Sequence, residues 1–172
     1  AEDCGNSEVS EYVASLQKES YFCKSATLSG NKIADVILSQ KSFMCRQKGI
    51  DFCFEHNNTD LGFVRDSDMC AILSNTLDNA IEAAQNSTEK CIYVRFYRSQ
   101  SRGFCFLEVL NSCDKAPEKT GKGYKSIKQG RYHGVGLYSI RQTAEKYNGE
   151  LITRYTEDKK FRTTVMLQDM SE

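Results

Sequence analysis

Residues 66–86, DSDMCAILSNTLDNAIEAAQN, decide the fold. Their apolar positions, Met69, Ile72, Leu73, Leu77, Ala80, Ile81 and Ala84, follow the i, i+3, i+4, i+7 rule of a helix that buries one face. Asp66 or Ser67 is placed to cap its start. At about 100 degrees per residue, Asp68, Asn75, Asn79, Glu82 and Asn86 fall within a sector of roughly 60 degrees, away from the centre of the apolar stripe. The helix therefore carries a polar wall as well as a core face. Asparagine is a poor helix former, because its short side chain competes for backbone hydrogen bonds. Asn75 and Asn79, one turn apart in mid-helix, need a reason. One is exposure to solvent, at a propensity cost of roughly several tenths of a kcal/mol each. The other is that two neutral carboxamide oxygens face a site as ligands of a hard cation such as Mg2+, with the charge balanced mainly by phosphates on a bound molecule.

The flanking segments supply the rest of a domain. Upstream, between the breaker Ser29-Gly30 and the stop Gly49, residues 31–47 read as a helix with Ile33, Val36, Ile37 and Met44 on one side. The period then changes, as Ile50, Phe52 and Phe54 alternate with Asp51 and Glu55, giving a strand that Asn57-Asn58 ends. Residues 8–24, with Val9, Val13, Leu16 and Phe22 near helical spacing, read as the end of a weakly amphipathic helix. Downstream, strands are expected at 92–96 and 104–110 around a hairpin turn at 99–103. A helix over 136–147, stopped by Asn148-Gly149, precedes two strands at 151–155 and 161–167. This order predicts a mixed or antiparallel sheet covered by helices on one face.

Composition removes several classes of function. The 172 residues suffice for one globular domain with a short appendage. With 23 Lys+Arg against 23 Asp+Glu, the chain lacks the basic excess of a dedicated nucleic-acid binder. Its longest apolar run, 69–73, is far shorter than the roughly 20 residues of a membrane-spanning helix. A soluble, cytoplasmic piece is expected. The eight cysteines lie no closer than eight residues apart, unlike paired zinc ligands. They read as free thiols, mostly buried, in a reducing compartment.

Between Asp114 and Arg131 the chain has no periodicity. It carries six basic residues, among them Lys125 and Lys128, and the glycines 121, 123 and 130. Long cationic loops inside compact domains are usually functional. This one opens into His133-Gly134-Val135-Gly136-Leu137 and then a helix. Glycine lets a backbone approach closely, and the free N–H groups of a helix start attract phosphate oxygens. Alone, such a pair of glycines is no more than a tight turn; here it follows a basic lid and an Asn-bearing helix.

Residues 73–83, LSNTLDNAIEA, resemble the N box of the GHKL ATP-binding superfamily, and 133–137, HGVGL, resemble its second glycine box. With GNK at 30–32, Lys41 and YNGE at 147–150, the chain is most similar to the ATP-binding domain of sensor histidine kinases, in the subgroup that includes peptide quorum-sensing receptors. The resemblance covers roughly residues 25–168. It implies an α/β (α+β) two-layer sandwich of the Bergerat type, with ATP held between the N-box helix and a mobile lid. By matching position, Asn79 is the principal Mg2+ ligand and Asn75 assists the metal or the phosphates. His133, Gly134, Val135, Gly136 and Leu137 cradle the phosphates with backbone amides, Lys128 and Lys125 reach them from the lid, and Asn111 reads adenine. Residues 1–24 become the end of a dimerisation region and 25–172 the catalytic domain. The implied partners are the chain's own upstream phosphoacceptor domain, in a homodimer, and a response regulator. The whole protein is expected to be a membrane-anchored bacterial sensor.

The departures from that pattern are specific. The first glycine box is missing: Asn111-Ser112-Cys113 stands where ordinary histidine kinases have Asp-x-Gly-x-Gly. An Asn oxygen still accepts from an exocyclic amino group. Glu82 occupies a position that is often basic, and Tyr132 one that is often glycine. Asn75 stands where the gyrase-like ATPases carry their catalytic Glu, and it cannot act as a general base. That favours phosphoryl transfer to a protein group over hydrolysis. Neither His56 nor His133 sits in a phosphoacceptor context, so no catalytic nucleophile is expected within these residues. The alternatives are a nucleotide-binding module without kinase activity and an anti-sigma-type serine kinase.

Overall fold

The computed structural model describes residues 29–57, 59–99, 103–120, 123–124 and 135–170. The elements are α1 (Lys32–Gln47), β1 (Asp51–His56), α2 (Asp66–Gln85), β2 (Cys91–Arg98), β3 (Phe104–Ser112), β4 (Lys119–Thr120), β5 (Gly123–Tyr124), α3 (Val135–Glu145), β6 (Glu150–Tyr155) and β7 (Lys160–Gln168). Five strands form one mixed sheet in the order β1-β2-β3-β7-β6. Only β1 and β2 run parallel, as they must when the 20-residue α2 carries the chain across between them. The β2–β3 and β6–β7 pairs are antiparallel hairpins, at the positions the alternating pattern predicts.

Alternation along the central strands puts Ile92, Val94, Phe96, Cys105, Leu107, Val109, Val165 and Leu167 on one face, all buried. This face packs on the helices through Leu38, Met69, Ile72, Leu73, Leu77 and Ile140, forming one core. The opposite face is held by side-chain pairs. Glu108 meets Arg95 at 3.2 Å and Arg162 at 3.7 Å, Tyr97 stacks on Phe106, and the Arg95 guanidinium lies over the Tyr97 ring.

The start of α1 is fixed by Asn31. Its side-chain oxygen accepts from Ile33 N and Ala34 N at 3.1 Å, and its amide nitrogen donates to Val64 O at 2.9 Å, so one residue caps the helix and ties it to the loop before α2. Gly30 has φ +72°, and a Cβ there would collide with Asp60. The buried residues of α1 are Ala34, Ile37, Leu38, Lys41 and Cys45. Val36, expected on the core side, faces outward. The inward stripe is rotated because Lys41, a residue that sequence logic puts in water, goes in to meet Asp78 of α2 at 2.6 Å.

Behind α3 the chain turns through Asn148, which takes the left-handed conformation at φ +47°. Gly149 is required for another reason: a Cβ there would stand 1.8 Å from the Met166 carbonyl oxygen of β7. The tract between β3 and α3 is not wholly irregular, since β4 and β5 pair as a short antiparallel hairpin within it. α2 begins at Asp66 with Arg65 as the capping position and no side-chain cap, so neither Asp66 nor Ser67 plays that part.

The cysteines divide. Among the described residues Cys45, Cys105 and Cys113 are buried and Cys91 half-buried, whereas Cys53 and Cys70, also expected inside, lie on the surface; Cys4 and Cys23 lie outside the described residues. Burial pushes the Cys45 thiol up to about 11 despite Lys41 and Lys48 nearby. Among the described residues no cluster of His, Cys, Asp and Glu suits a metal ion, and no helix is long and apolar enough to cross a membrane.

The Lys41–Asp78 pair is unequal, with side-chain exposures of 10% and 45%. Asp78→Ala strands a buried ammonium and is expected to cost about 2 kcal/mol, whereas Lys41→Met leaves a carboxylate that water reaches and is expected to cost less than about 1 kcal/mol. Urea unfolding of the two variants measures the difference; equal losses would refute it.

Candidate functional site

The polar wall of α2 faces α3, and the two helices run antiparallel. Asp68, near the start of α2, meets Lys146 and Tyr147, just beyond the end of α3. Asn75 and Asn79, about 10 and 16 Å further along α2, meet Gly136 at the start of α3. The seam is therefore closed by side-chain bonds at one end and by a close backbone approach at the other.

At the end closed by side-chain bonds, Asp68 is buried and holds three donors. Lys146 Nζ stands 2.7 Å from Oδ1, and Tyr147 OH at 2.9 Å and Arg65 Nε at 3.1 Å share Oδ2. The Tyr147 hydroxyl also accepts from the backbone N–H of Arg65 at 3.0 Å, and its ring packs edge-on against Phe63. Burial alone would raise the Asp68 carboxyl, but hydrogen bonds from Lys146 and Tyr147 and the positive charges nearby outweigh it and hold the group below the usual carboxylate range. Asp68 is thus a fastener between helices rather than part of a ligand-facing wall.

At the other end the helices come close because Gly136 has no side chain. A Cβ there would stand 3.3 Å from Asn75 Oδ1 and 3.7 Å from Asn79 Nδ2. Asn75 Nδ2 donates back along the helix to Ala71 O at 2.7 Å, which turns Oδ1 toward the start of α3. The first turn of α3 contains no acidic side chain, so no carboxylate of that turn opposes the positive end of the helix dipole. Two carboxamides and a helix start thus lie together. Asn86 stays outside it: exposed, at the C-cap of α2, it donates to Glu82 O.

Asn111 lies on the helix-facing side of β3, between Ile92 and Phe161, and is 3% exposed. Its amide nitrogen donates to Ser112 O at 2.9 Å, leaving the carbonyl oxygen as the end suited to a ligand's donor. The segment after β3 is rooted firmly. Cys113 N donates to Lys159 O at 2.8 Å, and Asp114 Oδ2 accepts from both the N–H and the hydroxyl of Thr88 at 2.7 Å. Those Thr88 bonds hold the Asp114 carboxyl low. Since Ser87 and Thr88 follow α2, the Asn111 end of β3 stands beside the C-terminal end of that helix.

Of the residues that sequence reasoning selected, the structure brings Asn75, Asn79 and Gly136 together and places Asn111 on the same helix-facing side. Val135 opens α3, and Leu137 packs partly against the core. Lys125, Lys128, His133 and Gly134 lie outside the described residues, as does Tyr132. The fastener Asp68–Lys146–Tyr147 and the anchor Thr88–Asp114 escaped the sequence, because each joins residues that are far apart in the chain. The available signal was a carboxylate, Asp68, at the N-terminal end of a wall that continues with Asn75, Asn79, Glu82 and Asn86.

A sequence profile described as the GHKL domain matches residues 65–168, more than half of the chain. The chain belongs to the GHKL domain family. Solved structures share the fold of this GHKL domain. The nucleotide-free catalytic domain of the histidine kinase ThkA matches with TM-score 0.57 and 20% identity over 80% of this chain and 91% of that one. The mycobacterial sensor histidine kinase MprB matches with 0.58 and 18% over 81% and 96%. The histidine kinase AdeS of Acinetobacter baumannii gives 0.59 and 14% over 81% and 64%. No curated protein sequence matches the chain. The matched profile begins at Arg65, yet α1 and β1 belong to the same core as the rest of the GHKL domain.

Because the Asp68 carboxyl is lowered in the folded state, its contribution is present above the ordinary carboxylate pKa of about 4 and fades as pH falls through the lowered value. Wild-type stability is therefore expected to drop below about pH 4 more steeply than that of Asp68→Asn. Tyr147→Phe, which strips a donor from Asp68 and an acceptor from Arg65 N, is expected to cost about 1–2 kcal/mol at neutral pH. Urea midpoints between pH 7 and pH 3 test both; parallel curves would exclude the role assigned to Asp68.

Proposed function

We propose that this GHKL domain is the ATP-binding catalytic part of a two-component sensor histidine kinase. The observation that carries the reading is the close approach of Gly136 to Asn75 and Asn79 at the start of α3. Neutral oxygen ligands beside a free helix start suit a cation that arrives with a polyphosphate. Asn79 is the main Mg2+ ligand, assisted by Asn75, and bound Mg2+ would neutralise developing charge on the phosphates. The backbone at 133–137 and the lid residues Lys125 and Lys128 hold the phosphate oxygens. Asn111 accepts from the adenine amino group.

The chain's own residues bind and orient; they supply no nucleophile and no base. Asn75 cannot deprotonate water, which suits transfer of the γ-phosphoryl group to an imidazole nitrogen, with ADP leaving and the imidazole proton passing to solvent. The receiving histidine lies on an upstream dimerisation domain to which residues 1–24 lead, residues 25–172 being the catalytic domain. A response regulator takes the phosphoryl group onward. In this reading the whole protein is a membrane-anchored homodimer with this domain in the cytoplasm, in the subgroup of peptide quorum-sensing receptors.

Titration of the domain with a fluorescent ATP analogue tests the reading. Binding is expected to strengthen with Mg2+, and Asn79→Ala to weaken it at least about tenfold, or 1.4 kcal/mol, without shifting the unfolding midpoint. Asn111→Ala is expected to weaken binding with and without the metal. Absence of binding, or binding indifferent to Asn79→Ala, would sink the proposal.

A further inference from the structure

Among the described residues the five-strand sheet ends in two edge strands, β1 and β6. An edge offers unpaired N–H and C=O groups to another strand, and proteins commonly blunt it with proline, a bulge or charge. β6 contains no proline and keeps one unbroken register with β7 from Glu150 to Tyr155. Beyond it Thr156 N donates to Lys160 O at 2.8 Å, so the bonded pairs of this hairpin continue, every second residue, through Arg154, Ile152 and Glu150. Leu151 and Thr153 therefore turn their N–H and C=O groups away from β7, and no described residue bonds to them there.

Leu151 is buried in the core, which puts Glu150, Ile152 and Arg154 together on the opposite face of the sheet. All three are exposed, Ile152 by 46%. Across β7, Arg154 stands opposite Arg162, a like charge that Glu108 already engages at 3.7 Å. Among the described residues no carboxylate answers Arg154 and no cation answers Glu150.

We propose that β6 is a self-recognition edge, which pairs antiparallel with β6 of a second copy of this chain about a twofold axis at Ile152. The inference is independent of nucleotide binding, and it adds to the dimerisation region assigned above without drawing on its residues. Under that symmetry Glu150 of each copy comes opposite Arg154 of the other, and the two Ile152 side chains meet on the axis. These are the non-bonded pairs of the new ladder, in which Cα atoms come within about 4.5 Å and side chains are closest. Leu151 of each copy exchanges backbone bonds with Thr153 of the other. The residues whose backbone faces outward thus alternate with those whose charges match, as a self-complementary strand requires.

The other edge behaves oppositely. Phe52 and Phe54 of β1 pack against the core, so Asp51, Cys53 and Glu55 share the open face. The same operation about Cys53 would set Asp51 against Glu55, a repulsion at both ends. Only six residues long, β6 makes a contact below the roughly 1,200 Å² of a standard interface, and the pairing is weak and reversible.

The test uses the 172-residue chain with Ile152→Cys as reporter, oxidised in air with copper–phenanthroline. Two introduced thiols face each other on the axis, so a reducible covalent dimer is expected to form at least about tenfold faster than in the wild type, where Cys53 and Cys70 supply the surface background. Adding Glu150→Arg or Arg154→Glu alone is expected to slow that cross-link at least about tenfold, because like charges then oppose each other at both ends. An equimolar mixture of these two chains, or both reversals in one chain, is expected to restore it, since unlike charges face each other again. Unchanged urea midpoints verify that the variants are folded. A reporter that cross-links no faster than the wild type, charge reversals without effect, or a mixture as slow as its components would each overturn the proposal.

Discussion

The structure depends on the seam between α2 and α3, two antiparallel helices that meet along a line of polar residues beside the apolar core they share. Such a contact is costly unless every buried group finds a partner. Asp68 satisfies the condition at one end by taking Lys146, Tyr147 and Arg65 together. At the other end the condition is met differently: Gly136 lets the backbones approach, and the carboxamides of Asn75 and Asn79 lie against it. One amphipathic helix thus meets its neighbour in two ways through residues of similar size: a carboxylate gathers donors at one end, and carboxamides lie against a bare backbone at the other.

The sheet serves this arrangement. Its helix-facing side supplies an apolar floor under α2 and ends in Asn111, the one polar side chain of that row in β3. The other side is organised around Glu108 and its two arginines, with Tyr97 and Phe106 stacked beside them. Anchoring of the loop after β3 through Thr88 and Asp114 ties the end of β3 to the end of α2, so the two walls of the candidate site share a covalent neighbour and a hydrogen-bonded one.

Much of this was legible in the sequence, for identifiable reasons. The apolar period of 69–84 places α2 and its inward face, and the alternations of 92–96, 104–110, 151–155 and 161–167 place two hairpins, because local pattern and tertiary burial agree there. The carboxamides were conspicuous because asparagine is out of place in mid-helix. Pattern failed where a long-range partner changed the accounting. Lys41 looks like a surface residue until Asp78 receives it, and that exchange rotates α1 and leaves Val36 outside. Asp68 joined the polar wall by its angle, yet its three donors come from Arg65 and from residues almost eighty positions away. Cys53 and Cys70 sit in apolar stretches whose neighbours face the core while they do not.

Gly149 adds a mechanical consequence. Its backbone lies so near the Met166 carbonyl that even a methyl group is excluded, and Gln168 N donates to Tyr147 O beside it. The rear of α3 is therefore riveted to β7, just where Tyr147 also grips Asp68. The tail of α3 is thus the more firmly held end, while at its head the contact of Gly136 with α2 is made without a side chain. Over the roughly 15 Å between them, a tilt of a few degrees at the held end would move Gly136 by about 1 Å against Asn75 and Asn79.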